Sequence, residues 1–174
     1  LVGKPDMFGP VPILNHAAGE YPRRYLFTKG MSFLAQYSNA FVQQIAANGN
    51  AVFSETPVPA KGCIYHREGS GVVQLSGPSN GQCFARYLVI FNGNIAVPAG
   101  GTAGAISIAI AIEGEAQGDA TATVTPAAVS DEFNVSVATF VLVPRGKPAT
   151  VSVKNISTQA IELQNASLII TRVA

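Results

Sequence analysis

Ala105-Ile106-Ser107-Ile108-Ala109-Ile110-Ala111-Ile112 is the stretch that decides the fold. Its isoleucines fall on every second residue, which is the period of a β-strand and not of a helix. One face is branched and bulky, as a sheet core requires. The other face, Ser107, Ala109 and Ala111, is small and uncharged, where a solvated face would carry Lys, Glu or Thr. A strand that is apolar on both faces is covered on both faces. In an all-β chain of this size the second cover is expected to be another subunit. Ser107, Ala109 and Ala111 are therefore the expected subunit-interface residues.

The strand ends an uncharged run that begins at Tyr87. The run is long enough for a membrane span, yet Asn92-Gly93-Asn94, Pro98 and Gly100-Gly101 punctuate it, and a spanning helix needs roughly 20 apolar residues without such breaks. No membrane partner is expected. Over the whole 174 residues, 48% are hydrophobic and only 12% charged, against a usual charged share of about 25%. That deficit points to a compact core with a Ser/Thr/Asn/Gly surface, or to much surface hidden by partners. A formal net charge of +1 leaves no electrostatic footprint for nucleic acid.

Working outward from Ile112, strand and turn signals alternate at short spacing. Asn48-Gly49-Asn50, Glu68-Gly69-Ser70, Asn92-Gly93-Asn94, Glu113-Gly114-Glu115 and Pro144-Arg145-Gly146-Lys147-Pro148 separate alternating apolar runs, a hairpin-rich pattern. Cys83–Phe91 reads as a long strand broken at Asn92-Gly93-Asn94. Phe133, Val135 and Val137 form a core phase. Ile161 and Leu163 stand in one phase and Leu168 and Ile170 in the other, so a bulge is expected near Asn165. No amphipathic helix of useful length appears. The expected fold class is all-β, a jelly-roll sandwich of about 8–10 antiparallel strands with an extended N-terminal arm.

That arm is expected over residues 1–36, with the jelly roll over 37–174. Pro5, Pro10, Pro12 and Pro22 interrupt it, and no helical stripe survives them. Phe8, Tyr21, Tyr25 and Phe27 are spaced along it, with Arg23 and Arg24 between. Aromatics on an extended segment suit anchoring on another surface, so these six residues are the expected attachment residues. No charged stretch followed by an apolar one opens the chain, so no signal peptide is expected.

Catalytic chemistry is sparse. The only histidines are His16 and His66. Cys63 and His66 lie three apart on a strand, which points them to opposite faces and prevents a nucleophile–base pair. Glu113 and Glu115 flank a turn glycine; Asp119, Asp131 and Glu132 lack the dense Asp/Asn/Gly loop of a calcium site. Gly100-Gly101-Thr102-Ala103-Gly104 lacks the Lys-Ser/Thr of a phosphate loop. No enzyme activity, cofactor or metal is expected. Cys63 and Cys83 match no zinc or redox spacing and are expected to be free thiols. The Asn-x-Ser triplets at Asn134, Asn155 and Asn165 read as chance.

Asn94-Ile-Ala-Val-Pro-Ala-Gly-Gly-Thr102, Val124-Thr-Pro-Ala-Ala128, Glu132-Phe-Asn-Val135, Asn155-Ile-Ser-Thr-Gln-Ala160 and the ending Asn165-Ala-Ser-Leu-Ile-Ile-Thr-Arg172 resemble small jelly-roll structural proteins of tailed phages and prophages of Firmicutes. Those are similar in layout to the trimeric tumour-necrosis-factor/C1q-like jelly rolls that top phage head fibres and spore-surface filaments. The resemblance covers about Ser38 to Ala174 and leaves the arm outside. It implies a homotrimer on the virion surface at the phage head, as a capsid decoration or head-fibre protein. Its partners would be its own copies and, through the arm, the major capsid protein or another virion protein. The alternatives are a receptor-binding fibre tip that recognises a host-surface glycan, and a bacterial surface or spore filament subunit.

Overall fold

The computed structural model describes residues 33–60 and 62–174. Eleven strands and no helix occur among them: β1 (Leu34–Asn39), β2 (Gln43–Ile45), β3 (Glu55–Val58), β4 (Ile64–His66), β5 (Val72–Leu75), β6 (Phe84–Ala96), β7 (Ile106–Ile112), β8 (Glu115–Val124), β9 (Phe133–Pro144), β10 (Ala149–Asn155) and β11 (Ile161–Arg172). They form two antiparallel sheets. One has the order β3-β1-β11-β6-β9, with β2 also on β11; the other has the order β4-β5-β10-β7-β8.

Four antiparallel pairs are nested in sequence: β1 with β11, β5 with β10, β6 with β9, and β7 with β8. The chain is a hairpin at β7–β8 whose two flanks are rolled up together, which is the winding of a jelly roll. The hairpin turn is Glu113-Gly114, with φ of 53° and 83°. Two consecutive positive φ values give the turn whose twist matches the flanking strands. Strands β2, β3 and β4 are short additions to this frame. Two of them have three residues each, too few to show a period, which is why the count exceeds the eight to ten expected.

The core lies between the sheets. Tyr87, Val89 and Phe91 of β6, Ile106, Ile108 and Ile110 of β7, Val151 and Val153 of β10, and Leu168 and Ile170 of β11 are all fully buried in it. Each such side chain contributes about 1.5–3 kcal/mol of burial, and Cys63 and Cys83 are both free thiols.

Two local expectations change and a third holds. The Asn92-Gly93-Asn94 break is absent, because β6 runs through it. A Cβ on Gly93 would come within 2.8 Å of Leu163 Cδ1 and 3.1 Å of Phe91 Cζ, so this glycine makes room for core side chains and turns nothing. The boundary at residue 36 also moves. Leu34, Ala35 and Gln36 pair with Thr171, Ile170 and Ile169 of β11, and Ala35 is fully buried, so the sandwich already includes β1 from Leu34. The bulge near Asn165 is present, with a register shift between Gln164 and Ser167 and φ of 53° at Asn165.

Candidate functional site

The sheet β3-β1-β11-β6-β9 turns one face to the core and the other away from it. Antiparallel partners directly opposite share a face, so the register lays out the outer face in rows. One row is Leu34, Thr171, Leu88 and Phe140; the next is Gln36, Ile169, Ile90 and Ala138. Beyond the first row lie Arg86 with Leu142, and Phe84 with Pro144. Phe140 is 64% exposed, Leu142 57%, Phe84 54% and Leu34 39%; Leu88, Ile90 and Ile169 are half-buried. At the usual strand spacing these positions span roughly 300 Å² of apolar surface, comparable with the largest apolar patch of a typical single chain, which is often functional. The row below is polar. Asn134 Nδ2 donates to Asn94 Oδ1 at 2.9 Å, and Asn92 Nδ2 donates to Asn134 Oδ1 at 3.3 Å.

A second feature is a cleft of 610 Å³ between the end of β11 and the loop that joins β5 to β6. Arg172, Phe33, Cys63, Ser79, Asn80 and Gln82 are among its lining residues. Below it, Tyr87 Oη donates to Ser76 O at 2.6 Å and to Cys63 O at 3.4 Å. Burial pushes the Tyr87 phenol well above the usual tyrosine range; the Cys63 hydrogen bond adds to this and the Arg172 charge opposes it.

No protein-family model and no curated protein sequence matches the chain. Solved structures do. The Eiger TNF of S. frugiperda superposes with a TM-score of 0.58 over 81% of this chain and 92% of that one, at 11% identity. The globular domain of the zebrafish complement 1qA protein superposes with a TM-score of 0.50 over 81% of this chain and 97% of that one, at 9% identity. The fold is a jelly roll of the tumour-necrosis-factor/C1q kind. At such identity the likeness is one of fold alone.

On this jelly roll the expected interface residues stand on the opposite sheet from the exposed apolar face. Ala109 and Ala111 have no exposed surface within the single chain. Their small side chains are thus already out of water in the single chain. Lys154 pairs with Ala109 in register, and its Nζ donates to Gly114 O at 3.2 Å. Ser107 is half-buried, and its hydroxyl shares a 2.7 Å hydrogen bond with Thr123 Oγ1. The expected attachment residues Phe8, Tyr21, Arg23, Arg24, Tyr25 and Phe27 lie outside the described residues.

Other residues read from the sequence take structural places. His66 Nε2–H donates to Ser70 O at 3.1 Å, and the ring packs 4.3 Å from Tyr37. Glu113 accepts from the backbone N–H and the hydroxyl of Thr150. Among the described residues no three His, Cys, Asp or Glu side chains group as a metal site. The apolar outer face escaped the sequence reading, although its signal was there. Leu88 and Ile90, then Ala138, Phe140 and Leu142, and Ile169 are apolar in the phase opposite the core residues of the same strands.

Proposed function

We propose that this chain is a structural jelly-roll module that assembles with its own copies as a homotrimer. The proposed contact is the outer face of β1-β11-β6-β9, and its displayed setting is the surface of a phage head, as a decoration or head-fibre protein. One observation carries the assembly: the apolar patch built from Leu34, Leu88, Ile90, Phe140, Leu142 and Ile169, on a chain whose core is already complete. Water contact with such a patch is unfavourable, and burying it returns about 25 cal/mol per Å². A patch of roughly 300 Å² is smaller than the ≈ 800 Å² that each partner buries in a standard interface. It therefore serves as the dry centre, with Gln36, Ser136, Ser167 and the asparagine row as the polar rim.

The resemblance of the stretches Asn94–Thr102 and Asn155–Ala160 to phage jelly-roll proteins supports the virion setting, with the expected arm, less the residues that pair in β1, as the attachment segment. Assembly is tested by light scattering on the wild type and on Phe140→Asp/Leu142→Asp. The proposal expects the wild type to be trimeric and the variant to be a folded single chain.

A further inference from the structure

The outer face of the sheet β4-β5-β10-β7-β8 lies across the core from the proposed assembly contact. We propose that it binds a linear, uncharged oligosaccharide, with Tyr65 as the stacking platform and Gln74, Thr150 and Ser152 meeting the sugar hydroxyls. This reading goes beyond self-association and survives its failure.

Register sets out the face in rows, because directly opposed residues share a face. Ile64, Val73, Leu75, Val151 and Val153 are buried in the core, so Tyr65, Gln74, Thr150 and Ser152 point the other way. Tyr65 pairs with Gln74 and Gln74 with Thr150. Glu113 extends this row through its N–H, which donates to Thr150 O at 2.9 Å. At the usual strand spacing the row is roughly 14 Å long, the length of a trisaccharide.

The next row is Val72, Ser152 and Ala111, and its middle is low. Ser152 is 5% exposed and Ala111 has no exposed surface, while Tyr65 stands out at 73%. On the far side Lys154, opposite Ala109, donates from Nζ to Gly114 O at 3.2 Å. The face is therefore a shallow trough with Tyr65 at one end. The Ser152 hydroxyl sits in its floor with no hydrogen-bond partner among the described residues. A hydroxyl so deeply buried is costly unless its partner comes from outside the chain. The Gln74 amide is exposed and also has no partner among the described residues.

The ligand follows from these groups. Tyrosine offers a flat apolar ring with a polar tip, which suits the C–H face of a pyranose. Amides and hydroxyls both donate and accept, as sugar hydroxyls do. Charge decides the class. Glu113 and Lys154 bring one charge of each sign, and both are held: Glu113 accepts from the Thr150 N–H and hydroxyl, and Lys154 donates to Gly114 O. Neither an acidic nor a basic polymer gains from such a balance. The polar row also gives a protein partner no dry centre.

Calorimetric titration of the full chain with cellotriose, maltotriose and mannotriose tests the site, and amide chemical shifts place it. Saturable binding of at least one trisaccharide is expected, with shifts centred on Tyr65, Gln74 and Thr150. Glucose is expected to bind at least roughly ten-fold more weakly, since one ring covers only part of the row. Tyr65→Ala is expected to weaken binding by at least roughly ten-fold, and Gln74→Ala and Ser152→Ala by roughly three-fold or more each. Tyr65 and Gln74 are exposed, so their variants are expected to fold. Phe140→Asp/Leu142→Asp, on the other sheet, is expected to keep wild-type affinity per chain, which separates loss of assembly from loss of this site. No saturable binding by any of the trisaccharides, or shifts centred elsewhere, overturns the site. Wild-type affinity in Tyr65→Ala overturns the platform. Tighter binding of trigalacturonate than of every neutral chain overturns the uncharged class.

Discussion

Asn155 is fully buried, and its side chain joins four backbone groups. Nδ2 donates to Ile45 O at 3.0 Å, Ala46 O at 3.1 Å and Gln159 O at 2.9 Å, and Oδ1 accepts from Ser157 N at 2.8 Å. The residue therefore ties the end of β2 to the β10–β11 connection. In the sequence it looked like a chance Asn-x-Ser triplet, because its partners at Ile45 and Ala46 are 110 and 109 residues away. Asn155→Ala strands these groups and is expected to lower stability by about 3 kcal/mol, read from urea unfolding. Ala111→Glu places a charge where the chain leaves no exposed surface, and is expected to cost about 3 kcal/mol as well. An unchanged unfolding midpoint for Ala111→Glu would mean that this position is open to water. The buried tyrosines set an alkaline limit. Burial pushes Tyr37 up to about 12 and pushes Tyr87 higher still. An unfolded tyrosine ionises near pH 10, so the unfolded chain loses protons first. Stability is then level below pH 10 and falls as pH rises from 10 to 12. Tyr37→Phe is expected to flatten that fall, measured as denaturation midpoints at pH 9 and pH 11.

Strand by strand, the sequence showed most clearly what alternation alone determines. The phase of β7, the turn at Glu113-Gly114 and the slip in β11 all follow from period-two patterning and turn chemistry. Where two causes produce one pattern, the sequence left the choice open. Small uncharged residues on the far face of β7 fit either a subunit contact or cover from the chain's own groups, and Ala109 and Ala111 are buried within the single chain. Apolar residues in both phases of β6 and β9 fit a strand covered twice, yet Phe140 and Leu142 remain exposed. The Arg172 cleft left no sequence signal, since its wall joins Cys63, the 77–82 loop and the end of β11. Strand β1 shows the same limit: its pairing partner β11 ends the described chain, so its Pro/Gly-rich upstream context dominated the reading. A chain beginning at Met31 keeps β1 and is expected to fold with wild-type stability. One beginning at Ser38 loses Ala35 and Tyr37 from the core and is expected to melt many degrees lower, in a thermal scan of both.

At the scale of the whole molecule, two sheets close one core and leave one apolar face open to a partner. A charged share of only 12% and an exposed apolar patch on one sheet would suit the proposed assembly of like copies. On the proposed function, residues 1–32 would serve attachment. On that proposal the chain beginning at Met31 still assembles and no longer sediments with phage heads, while the full chain does. The assembly itself is the central claim, and light scattering coupled to size exclusion tests it most directly. The wild type is expected at three times the 18.0 kDa of the chain. Phe140→Asp/Leu142→Asp is expected at one chain's mass with an unchanged circular dichroism spectrum. A wild type that runs as a single chain, or a double variant that keeps the wild-type mass, would contradict the account.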